Sequence, residues 1–184
     1  MDLTPAQKIR ILRQLAYQMM EKELRVIDNN NALRIITKPL SAVSPQTKGA
    51  DFLTDVENTS GLLVEFESGS YSFSHLTFQE YLASIHVIEA RLEKELIKHV
   101  DDSWWQETIR LYCAQTDASQ VITACLNSTN TNALSLAIEC MDEAREVSPE
   151  TRAQYQEVID KGVEDSNPER RKMIASAILK HRTH

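Results

Sequence analysis

Apolar positions recur every three or four residues along most of the chain, the spacing of helices that bury one face. Thr4, Pro5 and Gln7 predict where the first begins: a hydroxyl cap, a proline at the first helical position and a glutamine three residues after the cap. Ile9, Leu12, Leu15, Ala16 and Met19 then share a face, and the helix is expected to end near Lys22. Val26 and Ile27 form a short β-prone pair, and Asp28 is suited to cap a second helix over residues 29–37. Pro39 is expected to stop that helix, because a residue preceding proline avoids helical angles, leaving residues 40–48 as an ordered loop. A third helix is predicted over 50–57, burying Phe52, Leu53 and Val56 and ending at Asn58, Thr59, Ser60 and Gly61.

The period then changes. Two short β-prone runs, 62–66 and 71–73, flank a turn containing Ser68, Gly69 and Ser70, which predicts a hairpin. Three helices followed by a hairpin is the order of a winged helix, with Val26 and Ile27 as its possible first strand. Beyond the hairpin the pattern is helical throughout. One long helix is predicted from 76 to about 98, with Tyr81, Leu82, Ile85, Ile88 and Leu92 inward. Asp101, Asp102 and Ser103 cap the next, which carries Trp104, Trp105, Ile109 and Tyr112; further helices are predicted over 118–126, 131–145, 149–163 and 168–181. One of the two tryptophans is expected to pack between helices and the other to stay partly exposed, where it could serve a partner. The fold class is therefore mainly α: a winged-helix module with one β-hairpin and a linking helix over residues 1–98, then an α-helical solenoid-like or bundle domain over 99–184. No repeat of fixed period stands out.

Composition narrows the function. The chain has 184 residues, 42% of them hydrophobic, with a net charge of -7. That charge disfavours general binding to nucleic acid or anionic membranes, which need positive potential. No apolar run approaches the roughly 20 residues that span a bilayer, and the N-terminus shows no signal-peptide pattern. Cys113, Cys125 and Cys140 fit no metal-ligand spacing and read as reduced core thiols. The expected compartment is the cytoplasm.

Residues 60–84, SGLLVEFESGSYSFSHLTFQEYLAS, are the most informative stretch. They resemble the motif that closes the winged-helix domain of NACHT-type NTPases, signalling ATPases of the STAND class that include NOD-like receptors and bacterial relatives. The similarity is dense over these residues and looser over 3–90. It implies an NTPase domain and a small helical domain N-terminal to the winged helix, and helical or repeat sensor regions C-terminal to it. The match also implies a role for His75: in the closed state of such proteins, a histidine at this position faces the terminal phosphate of bound ADP. Phe73, Leu76, Phe78, Tyr81 and Leu82 in the same motif read as core residues. His75 and Glu80 are five apart on a helix and so face different ways, with Glu80 expected to be solvated or tied to the neighbouring domain.

The chain itself is not expected to be an enzyme. Gly49, Gly61, Gly69 and Gly162 stand alone, and no Gly-Lys-Ser/Thr occurs, so a P-loop is missing. No metal site, nucleophile elbow or Cys–His arrangement is present, and His181 and His184, with Lys180 and Arg182, fall in a basic tail expected to be disordered. No cofactor is expected in this chain; ADP or ATP with Mg²⁺ belongs to the parent ATPase. The expected function is a regulatory and scaffolding module in signal transduction, which holds the ADP-bound state closed and couples nucleotide state to oligomerisation or partner sensing. Its expected partners are the parent NTPase domain and, on activation, other proteins or further copies of itself. One alternative is a free-standing helical protein-interaction adaptor. The other, a winged-helix DNA-binding regulator, is disfavoured by Asp51, Asp55 and Glu57 on the third helix and by the absence of Lys or Arg from position 49 through 90.

Overall fold

The computed structural model describes residues 3–67 and 69–182; His184 and Ser68 lie outside the described residues. Helix α1 (Pro5–Glu21) begins as its sequence dictates. Gln7 N–H donates to Thr4 Oγ1 at 3.3 Å, and Thr4 N–H donates to Gln7 Oε1 at 2.8 Å, a reciprocal cap that contributes about 1 kcal/mol. Leu12, Leu15, Ala16 and Met19 are buried as expected, joined by Ile11, Tyr17 and Met20, while Ile9 is only half-covered. Strand β1 (Val26–Asp28) follows, and Asp28 caps α2 (Asn29–Val43) by accepting from Asn31 N–H at 2.9 Å.

Here the structure corrects the sequence reading. Pro39 does not stop α2, which continues to Val43 and leaves only residues 44–48 as the loop. Within a helix, proline forfeits its own backbone bond. Ala32, Ile36 and Leu40, spaced by four, are all buried and hold the helix to the core on both sides of the proline. Ser44 N–H then donates to the Leu40 carbonyl at 2.8 Å.

Helix α3 (Gly49–Ser60) buries Phe52, Leu53 and Val56 as predicted but runs past Glu57 to Ser60. The Thr59 and Ser60 hydroxyls donate to the Asp55 and Val56 carbonyls at 2.6 and 2.7 Å, and Gly61 ends the helix in the left-handed region at φ 62°. Strands β2 (Leu63–Glu67) and β3 (Ser70–Phe73) form the hairpin, and β1 pairs antiparallel with β3, giving the order β1-β3-β2. Glu65 faces Tyr71 and Glu67 faces Ser70, so Phe66 is an extra residue on β2, a bulge.

Helix α4 (Leu76–Ala90) stops short of the predicted Lys98. Arg91, at φ 56°, turns the chain, and a separate short helix α5 (Glu93–Ile97) follows. Left-handed backbone at a residue other than glycine has no strong sequence signal. The turn coincides with the division of the chain into two units, Met1–Arg91 and Leu92–His184. In the first unit α4 packs along α1, burying Gln79, Leu82, Ala83 and Val87. Gln79 Nε2–H reaches across to the Leu24 carbonyl at 3.0 Å, satisfying a buried amide and fixing the turn after α1.

The second unit contains a 3₁₀ turn (Ser103–Trp105) and helices α6 (Gln106–Cys113), α7 (Ser119–Asn127), α8 (Thr131–Glu143), α9 (Pro149–Gly162) and α10 (Pro168–Arg182). Helix α10 extends through the residues expected to form a disordered tail as far as Arg182. Contacts run α6–α8, α8–α10, α5–α7 and α7–α9, as well as between successive helices α7 and α8. Two interleaved rows of helices result, the arrangement of stacked helical hairpins. Beyond α4 the described residues contain a single isolated β-bridge, Asp117 with Glu146, and no strand. Gly162 lets α10 approach closely: a Cβ there would stand 2.0 Å from Ile174 Cδ1.

Cys113, Cys125 and Cys140 are free and buried at zero exposure inside this unit. Burial pushes the Cys125 thiol up to about 12, and a thiol–thiol hydrogen bond with Cys113, followed by burial, raises that of Cys140. A reagent cannot reach a fully buried thiol, so all three should resist DTNB in the native protein and react fully in guanidinium. Rapid labelling of any of them without denaturant would contradict this packing.

Candidate functional site

The hairpin ends at Phe73, which is 6% exposed and pairs with Leu63 across the strands. Two residues later His75 occupies the cap position of α4 with extended backbone (φ −135°, ψ 141°). A cap of Ser, Thr or Asp would spend its side chain on the free amides of the first turn. His75 makes no such bond: its carbonyl accepts from Phe78 N–H at 3.0 Å, while its ring meets Phe78 edge-on at 5.6 Å. The residue is exposed. The imidazole is thus displayed at the positive end of a helix and remains available to something outside this unit.

The neighbouring motif residues depart from expectation. Phe78 and Tyr81 read as core, yet they are 40% and 45% exposed. Glu80, expected to be solvated or tied to a neighbouring domain, is only 8% exposed, which goes against the first alternative. Helix α4 is apolar on two sides, so periodicity could not decide which side is covered. Ala83 permits close approach to α1, and that contact takes Gln79, Leu82 and Val87. Phe78, Tyr81, Ile85 and Ile88, spaced by three, four and three, fall on the other side, where Ile85 and Ile88 are half-covered. His75 leads this stripe by one turn. His75 and Glu80 do not come together, and the structure gives them no shared chemistry.

The third helix carries Asp51, Asp55 and Glu57, and Glu57 accepts from the Glu65 N–H of the edge strand at 3.1 Å. Lys8 of α1 lies 2.5 Å from Asp55 and pairs with it. No cluster of three or more metal-ligating side chains occurs among the described residues. No helix among them is long and apolar enough to cross a membrane.

Farther along α4, His86 lies half-buried with its ring 5.0 Å from that of Tyr17. Burial pulls its pKa below the ordinary 6.5, against an opposing pull from Glu89. The unfolded chain therefore takes up this proton more readily, and stability should fall as pH drops from about 6.5 toward the folded-state value. Asp28, Glu157 and Asp165, held below their ordinary carboxylate values, lose their contributions only at lower pH. Thermal melts between pH 7.5 and 5 should show a decline that His86→Gln flattens; an identical decline in the variant would contradict the assignment.

A family model described as a winged helix-turn-helix domain C-terminal to NACHT matches residues 2–87. No curated protein and no solved structure shows significant similarity to the chain. The match spans α1, β1, α2, α3, the hairpin and nearly all of α4, the elements that build and display His75. Residues 2–87 fold as a winged helix and match the model of the winged-helix domain that lies C-terminal to NACHT.

Proposed function

We propose that this chain is a non-catalytic regulatory module of a NACHT-type signalling ATPase, and that its winged helix helps hold the ADP-bound state closed. The observation that carries this reading is His75: an exposed imidazole at a helix N-terminus that does no capping work of its own. In the parent, where ADP or ATP with Mg²⁺ is held by the NTPase domain, His75 would donate a ring N–H to the terminal phosphate of ADP. The apolar stripe led by Phe78 and Tyr81 would rest against that NTPase domain. Exchange of ADP for ATP would release the clamp and permit oligomerisation, and the two-row helical unit would sense or transmit the trigger.

His75 fits one phosphate contact and no more. The four glycines stand apart and no P-loop lysine accompanies them, so this chain offers no cradle for a nucleotide. Calorimetric titration of the chain with ADP or ATP should show no site of micromolar affinity; such a site would overturn the reading. A second reading, a helical interaction adaptor, draws on the same exposed stripe on α4. Duplex-DNA recognition is disfavoured by the acidic α3, and mobility shifts with sequence-dependent, submicromolar binding would reverse that judgement.

A further inference from the structure

Phe66 is the most exposed large hydrophobic residue among the described ones, at 62%, and it is the extra residue of the β2 bulge. Glu65 and Glu67 flank it, both exposed. An isolated phenylalanine with an acidic collar is a plug in search of an apolar socket with a basic rim. The same unit contains one. Ile11 of α1 with Pro39 and Val43 of α2 lines a groove of about 470 Å³ that also borders the end of α4. Arg10 and Lys38 stand on its rim, both exposed and neither in an ion pair among the described residues. The acid there, Glu89, is already engaged by Arg13 at 2.5 Å.

Plug and socket cannot meet within one molecule. Asn29 N–H, at the start of α2, donates to the Gly69 carbonyl at the hairpin turn, at 2.8 Å. The socket lies around Pro39 and Val43, at the far end of that helix, roughly 15–20 Å away at 1.5 Å per residue. The geometry points to head-to-tail self-association, in which Phe66 of one copy enters the Arg10–Lys38 groove of the next with Glu65 and Glu67 facing the two cations. Different patches meet on each side, so the contact is heterologous and leaves a free plug and a free socket at the ends of every pair. It stands on the surface of the N-terminal unit alone, whether or not His75 senses nucleotide.

Sedimentation velocity of the intact chain over a concentration series tests it, without any nucleotide present. The wild type should form species beyond a dimer as concentration rises, weakened by salt because the paired charges are exposed. Phe66→Asp disables the plug and the double variant Arg10→Glu, Lys38→Glu disables the socket, each lowering self-association by about tenfold or more. Both change exposed side chains, and unchanged melting temperatures verify that they fold. Mixed together, the two variants should recover a 1:1 dimer and nothing larger, because one intact plug meets one intact socket. A wild type that stays monomeric up to millimolar concentration, variants that associate like it, or a mixture that stays monomeric would each overturn the proposal.

Discussion

Trp105→Ala should destabilise the second unit by about 3–5 kcal/mol, a large share of the stability of a domain this size. Trp105 is 1% exposed and stacks on His99 with ring centroids 4.4 Å apart and planes 20° from parallel. Removing the indole withdraws a large apolar surface from a site whose neighbours are fixed by the 3₁₀ turn and by Asp102, which accepts from Trp104 N–H at 2.9 Å. A cavity is left because the helical frame can collapse only in part. Trp104, one residue earlier, is half-exposed, and its replacement by alanine should cost a small fraction of that. Urea unfolding of both variants checks the contrast. Equal losses would mean that the pair is not divided into a core residue and a surface residue.

That division was legible in the sequence only as a disjunction, and its resolution shows what local pattern can and cannot settle. Thr4, Asp28 and the Ser-Gly turn announced their structures because capping and turn chemistry act within three or four residues. Pro39 misled because its local penalty was outweighed by Ile36 and Leu40 docking in the core. Arg91 carried no signal at all, since a left-handed arginine reflects what the chain must do at the boundary between units. On α4 the motif announced importance but not direction. Phe78 and Tyr81 had the composition of core residues, yet the tertiary contact with α1 selected the opposite side of the helix. Of the two expectations for Glu80, the solvated one fails because the residue lies on the covered side of the helix. The bulge at Phe66 depends on strand register, which a single sequence does not disclose.

The second large effect concerns His75. A hydrogen bond from its ring to a charged phosphate is worth about 1.5–3 kcal/mol. If it forms only in the closed ADP state, losing it shifts closed against open by roughly 10- to 150-fold. The exposed ring meets Phe78 edge-on and makes no capping bond, so its removal should scarcely alter the folding of this chain. The decisive measurement pairs two responses to His75→Ala: the ADP release rate of the proposed parent ATPase and the melting temperature of this chain. Faster ADP release by one to two orders of magnitude, with a melting temperature unchanged, is the result predicted here. Unchanged ADP release with a clear loss of stability would assign His75 to the fold and contradict its part in holding the closed state.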